Sequence, residues 1–360
     1  MSAAPTQDPP PRDPLHPPRV RAAWHPACAS DALGDGLLTT ALYGVPLVLF
    51  RGPDGAPAAL VDRCPHRNVP LSAGRLVPGG LACGYHGWRF DPRGRCTAIP
   101  GLVGEPDAPG RRCGAHATAE VGGLIWVWGE VDRPPRGAPP RSALHDDPRY
   151  GVVRQHLIAE GSVLAVAENA LDVPHTAFAH GGLFRVDRDR APITCHVRRW
   201  ADRAEAEYVG EQRPKGLVGR VLSPGGGEVV HFDRFTLPGL VEVEYLIGDE
   251  NHILVQAALQ PLDDHRTAVH ATVFVRARVP LWLARPFAEP VALHIFGQDQ
   301  QILAAQTRTM RAFGEAKYAS TELDLLGPHI LRLLRRAEAD GLPEPGDAGP
   351  EVEKTVTMLV

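Results

Sequence analysis

Cys64-Pro65-His66 and Cys83-Gly84-Tyr85-His86 place one thiol and one imidazole on each of two short segments, with residues 67–82 between them. One Cys and one His from each segment can hold a [2Fe-2S] cluster, the thiolates on one iron and the imidazoles on the other. Imidazole ligation lifts the reduction potential above that of an all-Cys cluster, and such a cluster moves single electrons. A structural zinc site can also use two Cys and two His, but finger-type spacing pairs like ligands, C-x-x-C and then H-x₃₋₅-H. Here each segment mixes sulfur with nitrogen, which favours the cluster. Gly84 and Gly87 each follow a ligand of the second segment, where the main chain must approach the sulfurs and φ can turn positive.

A second constellation lies in Glu168-Asn169-Ala170-Leu171-Asp172-Val173-Pro174-His175-Thr176-Ala177-Phe178-Ala179-His180. Two imidazoles and one carboxylate on one face of an iron leave positions open for dioxygen, the facial-triad arrangement of non-haem Fe(II). His175 and His180 are the imidazole pair. On a regular helix their spacing would set them about 140° apart. Pro174 and Gly181-Gly182 supply the irregularity that brings both rings inward.

Together the segments C-P-H and C-G-Y-H-G-W resemble the cluster-binding signature of Rieske-type iron–sulfur domains. Respiratory members carry an extra disulfide across the two loops, and no further Cys stands beside either loop here, so the likeness is to the oxygenase and ferredoxin branch. Asn169, Asp172, His175 and His180 match the N-x-x-D-x-x-H-x₄-H iron motif of Rieske-type oxygenases position for position. The resemblance implies an α+β chain: an N-terminal all-β Rieske domain, then an antiparallel-sheet catalytic domain whose helices carry a mononuclear iron. It implies a third iron ligand on a late helix, for which Asp299 in Phe296-Gly297-Gln298-Asp299-Gln300-Gln301 is the match, with Glu289 and Glu315 as fallbacks and His294 as a distractor. A buried, unpaired carboxylate in such an apolar and amide-rich turn would be costly without a cation.

For Asp172 the resemblance implies a bridge. It accepts the second ring N–H of His175, fixing that tautomer, and also accepts from a cluster histidine of a neighbouring subunit in a homotrimer, His86 or alternatively His66. Asn169 hydrogen-bonds near the iron or caps a helix. The activity implied is that of a terminal oxygenase fed from NAD(P)H by a separate reductase, directly or through a ferredoxin. It uses O2 to hydroxylate, or oxidatively demethylate, a small apolar, aromatic or alicyclic substrate. Ring dioxygenation, desaturation and a non-catalytic electron-transfer or redox-sensing role are the alternatives. Trp88, Arg89, Arg67, Arg93 and Arg95 are candidates for a basic face that docks an acidic reductant.

The whole chain fits this reading. Its 360 residues suit two domains with sizeable cores. With 38 basic against 42 acidic residues, nothing points to a nucleic-acid surface. No stretch reaches the ~18–20 apolar residues of a membrane span. The Pro-rich start has no signal-peptide core, and six cysteines without framework spacing point to a reducing cytoplasm. Cys96 and Cys113 read as ordinary thiols. No convincing dinucleotide-binding Gly motif is present.

The expected division is a disordered tail at 1–19, the Rieske domain at 20–135, the catalytic domain at 136–340 and a C-terminal tail at 341–360. In the first domain, Leu47–Phe50, Ala58–Val61 and Leu124–Trp128 read as strands separated by Gly/Pro turns, with the cluster loops as hairpin tips. The Pro-rich run 132–141 is the linker. The second domain reads as a helix within 162–180, strands at 195–200, 204–209, 228–237, 241–247, 252–260 and 267–279, and helices at 286–318 and 319–339. Phe232, Leu246, Val255, Phe274 and Phe296 are candidate pocket residues.

Overall fold

A computed structural model describes residues 16–180, 191–210, 229–248, 251–277, 281–344 and 348–359. The expected disordered tail therefore lies largely outside the described residues, as do Gly181 and Gly182.

The first domain is built from eleven short strands: β1 (Trp24–Ala29), β2 (Leu38–Leu42), β3 (Val45–Arg51), β4 (Pro57–Val61), β5 (Arg75–Val77), β6 (Gly80–Ala82), β7 (Arg89–Phe90), β8 (Cys96–Ala98), β9 (Ala115–His116), β10 (Thr118–Val121) and β11 (Leu124–Trp128). They form three small antiparallel sheets, ordered β1-β11-β10, β2-β3-β4-β9 and β5-β6-β7-β8. Alternation is weak because several strands bury both faces: Val48, Leu49 and Phe50 are all fully covered. The third sheet carries the second cluster loop as the tip of the β6–β7 hairpin. The first loop differs from expectation. It is a crossover from β4 into β5, joining two sheets.

The second domain centres on one eight-stranded antiparallel sheet. Its strands are β12 (Gly151–Ala159), β13 (Pro192–Arg199), β14 (Arg203–Val209), β15 (Val229–Thr236), β16 (Leu240–Ile247), β17 (Asn251–Asp263), β18 (Arg266–Arg276) and β19 (Val352–Leu359), in the order β12-β18-β17-β16-β15-β14-β13-β19. Two of them escape sequence reading. Residues 151–159 were assigned no element ahead of the helix expected within 162–180, and they form an edge strand. The expected C-terminal tail supplies the opposite edge: Val352–Leu359 pairs with β13 along its length and buries Met358.

One face of this sheet carries the helices α1 (Val163–Ala170), α2 (Thr176–Ala179), α3 (Leu281–Phe313) and α4 (Gly327–Asp340). Leu164, Ala167 and Leu171, Leu303, and Ile330, Leu333 and Leu334 close over Val197, Ala206, Phe235, Leu259 and Ala271 in one core. Helix α1 begins where Ser162 Oγ accepts from the Ala165 N–H at 3.2 Å. It stops before Pro174, so the expected single helix is two pieces. Helix α3 runs through Pro286 and Pro290. No described helix is long and apolar enough to cross a membrane. The opposite face meets the first domain, where Trp24, Trp126 and Trp128 pack on Leu240 and Ala258. Gln260 Nε2 donates across that junction to Thr40 Oγ1 at 2.7 Å.

Candidate metal centres

The two Cys/His loops close in the same way. In the first, the Cys64 N–H donates to Val69 O (2.9 Å) and the Asn68 N–H to Cys64 O (2.9 Å). In the second, the Cys83 N–H donates to Trp88 O (2.8 Å) and the Gly87 N–H to Cys83 O (3.1 Å). Asn68 and Gly87, the equivalent positions, both have positive φ, 63° and 72°. Asn tolerates that conformation and Gly adopts it freely. Gly84 answers to space instead: a Cβ there would lie 2.5 Å from Ala73 O.

These frames bury both thiols, each 2% exposed, and set the His66 and His86 rings 4.6 Å apart at 64°. Trp88, half-buried, stacks on His66 at 4.7 Å and 7° and so backs a candidate ligand. The Cys64 thiol is pushed up by burial and by its Cys83 neighbour, against the pull of the His66 and Arg67 amides. His66 Nδ1 is buried with no hydrogen-bond partner. An orphaned ring nitrogen beside two buried thiols is a donor set that a metal cluster would satisfy. Cys113 lies nearby, its thiol donating to Val61 O at 3.1 Å, and neither it nor Cys96 is paired. Of the expected basic face, Arg67, Arg89 and Arg93 are exposed, while Arg95 is tied to Asp107 at 3.1 Å.

The second centre assembles from two chain segments. His175 enters α2 and His180 ends it, and the helix breaks at His180 (φ −113°, ψ 36°). That break answers the unfavourable spacing: His175 Nε2 and His180 Nε2 come within 3.2 Å. Asp299, midway along α3, offers Oδ1 at 3.5 Å from His175 Nε2 and 3.2 Å from His180 Nε2. All ligand atoms of the three residues lie within 4.8 Å of one another. Two imidazole nitrogens and a carboxylate oxygen converging this closely suit a divalent cation.

The atoms behind the trio fix its tautomers. His180 Nδ1–H donates to Gln298 Oε1 at 2.8 Å, which leaves Nε2 for a metal. His175 Nδ1–H donates to the main-chain oxygen of Asp172. The Asp172 carboxylate stands 3.6 Å away, so the expected carboxylate contact is supplied chiefly by that residue's own carbonyl. Burial alone would lower His175, but Asp299 and Asp172 outweigh it and its pKa is raised. Asp172 is raised by burial and by the charges of Asp324 and Asp233. Asn169 Nδ2 reaches Asp299 Oδ1 at 3.5 Å.

The fallback ligands stand elsewhere. Glu289 is held by Arg285 (2.8 Å) and Gln155 (2.5 Å), and Glu315 and His294 are exposed. Phe232, Leu246 and Phe274 fall on the face of the sheet away from the helices, Phe274 fully buried there; only Val255 among the expected strand residues faces the helices. Gln298 went unassigned in the sequence, though its place directly before Asp299 was a usable signal. Asp324 and Asp233 carry no local signal at all.

Comparison with known proteins follows the same division. Residues 23–109 match the Rieske [2Fe-2S] domain, and residues 160–340 match the vanillate O-demethylase oxygenase C-terminal domain. The chain is 36% identical over 163 residues to the oxygenase component of dicamba O-demethylase from Stenotrophomonas maltophilia, covering 45% of this chain. That match spans 48% of the relative's length, about half. It is 29% identical over 278 residues to the oxygenase component of chloroacetanilide N-alkylformylase from Rhizorhabdus wittichii, covering 70% of this chain and 74% of that protein. The crystal structure of dicamba monooxygenase bound to dicamba superposes with a TM-score of 0.72 at 23% identity, over 89% of this chain and 98% of the other, a likeness of fold.

Proposed function

This chain belongs to the Rieske-type oxygenase components with a vanillate O-demethylase oxygenase C-terminal domain, and from that premise we propose that it is a terminal oxygenase. In this reading it takes electrons from a separate NAD(P)H-dependent reductase, directly or through a ferredoxin. With O2 it hydroxylates or oxidatively demethylates a small apolar, aromatic or alicyclic compound. The observation that carries the reading is the meeting of His175, His180 and Asp299 downstream of a complete Cys64/His66/Cys83/His86 set.

When bound, a [2Fe-2S] cluster supplies one-electron transfer and a mononuclear Fe(II) supplies dioxygen binding and activation. The protein's own contribution is positional. Cys64, His66, Cys83 and His86 hold the cluster; His175, His180 and Asp299 hold the iron. Gln298 and the Asp172 carbonyl take the Nδ1–H of His180 and His175, so in the neutral rings the lone pair sits on Nε2. Asn169 steadies Asp299. Asp172 is the bridge to a cluster histidine of a neighbouring subunit in a homotrimer, a role supported by the exposure of His86 and by the 34% exposure of the Asp172 side chain. We place the Rieske domain at residues 20–135 and the catalytic domain after it, extended to include β19. A reducing cytoplasm suits six unpaired, buried cysteines.

The test is iron and sulfide analysis with paramagnetic resonance of the reduced protein, followed by product analysis with a reductase. About three irons per chain are expected, two in the cluster and one beyond it. About two would leave only an electron carrier or sensor.

A further inference from the structure

The helix-bearing face of the large sheet is closed at one end and open at the other. Val197, Ala206 and Phe235 are fully covered, whereas Val243, Ile253, Val255, Val273 and Val275 are only half-buried. The register places Val243, Val255 and Val273 in one cross-strand row and Ile253 and Val275 in the next, a continuous apolar strip over β16, β17 and β18. The same two rows continue into a polar corner. His231 lies between the rings of Tyr208 (4.4 Å, 18°) and Tyr245 (4.1 Å, 17°), and its Nε2–H donates to Asp233 Oδ1 at 3.0 Å. Asp233 is 2% exposed and presses the Tyr208 hydroxyl well above its ordinary pKa, after burial.

The corner adjoins the metal trio. Asp233 is close enough for its charge to raise the Asp172 carboxyl, and Tyr208 and Val243 join the core made by α1 and α3. Its charge is one-sided. Among the described residues, the cations on this face of the sheet are Arg199 and Lys354, opposite Val352 and Val197 at the β13–β19 edge, where both act on His329 of α4. Arg285 of α3 is committed to Glu289 at 2.8 Å. An apolar surface ending in a few convergent polar groups is the usual make-up of a small-molecule site.

We propose that the strip seats the apolar body of the substrate and that the Tyr208–His231–Asp233–Tyr245 corner selects an uncharged or cationic polar substituent over a carboxylate. This rests on the terminal-oxygenase reading for the location of the reaction, but not for the binding itself. A substrate carboxylate brought beside Asp233 meets a like charge in a poorly solvated place, whereas an amide or ammonium meets an acceptor.

The test is calorimetric binding of three probes of one shape to the iron-loaded protein: 4-methoxybenzamide, 4-methoxybenzylamine and 4-methoxybenzoate. The amide and the amine are expected to bind about tenfold or more tighter than the carboxylate. In Asp233→Asn the gap should close, mainly through a gain for the carboxylate. Should that variant not fold, the wild-type ranking alone decides. A carboxylate bound as tightly as the amide, an unchanged gap in a folded Asp233→Asn, or no binding of any probe would each overturn the proposal. Oxygen and reductant consumption, measured separately, judge the oxygenase reading: amide binding without turnover sinks that reading and leaves this one standing.

Discussion

At the residue scale, the atoms proposed to hold the metals are divided between motif and fold. Cys64, His66, Cys83, His86, His175 and His180 are legible because their spacing is local and chemically unusual. Asp299 needed the family resemblance, since its partners lie on another segment far away in sequence. Gln298 was invisible as a participant until His180 was seen to donate to it. Replacing Gln298 with Leu removes the amide oxygen that accepts the His180 Nδ1–H in a buried place. Iron affinity should fall about 10- to 100-fold, measured by competition with a chelator, while the cluster's visible spectrum stays unchanged. Gln298→Glu, which keeps the acceptor, should recover most of that affinity. Asp172→Asn keeps the main-chain carbonyl that holds His175, so both metals should remain while turnover drops by about 100-fold or more, read by product formation against iron content. Undiminished turnover would remove Asp172 from the electron route.

At the scale of elements, agreement follows locality. Leu124–Trp128 and Arg203–Val209 are strands very nearly where period and turn residues put them. β12 and β19 were missed because nothing near them in sequence announces a partner. β12 pairs with β18 and β19 with β13, and each alternates half-buried and exposed residues too weakly to declare itself. Residues 132–141 carry no helix or strand, and the helix expected at 286–318 begins earlier, at Leu281, so Pro286 lies within it and not at its head. The cluster loops offer a clean test of backbone space. Gly84→Ala puts a methyl 2.5 Å from Ala73 O, closer than any Cβ can sit, so one cluster loop must shift. Reduced cluster content per chain, read from visible absorbance and sulfide, is the expected outcome. Ala at the exposed Gly36, with no atom within 4 Å of its Cβ and no positive φ, meets no such obstacle and serves as the control.

Across the whole molecule, the two domains meet through tryptophans and a polar line that ends in buried imidazoles. His25 sits in the first domain with its pKa lowered to about 4 by burial. His270, whose Nε2–H donates to Gln260 Oε1 at 3.0 Å, is lowered by burial and by His156 to about 3. Both are neutral in the folded protein and protonate more readily when unfolded. Their contribution is fully present above pH ~6.5 and is lost as pH falls toward 4 and then 3. For His25 the loss at pH 5 is on the order of 2 kcal/mol. Chemical denaturation at pH 7 and pH 5 should show that decline. His270→Gln should flatten part of it, since an amide can replace the donor without titrating. Stability unchanged between the two pH values would mean these imidazoles are not neutral in the fold.

Each cysteine loop in the first domain is laced shut by its own main chain, with Asn68 and Gly87 at matching bends. The bend of each loop is therefore set by its own main chain, and what iron and sulfide would add is the link between the two loops. A preparation stripped by gentle chelation should keep its first-domain architecture and recolour when iron and sulfide are returned.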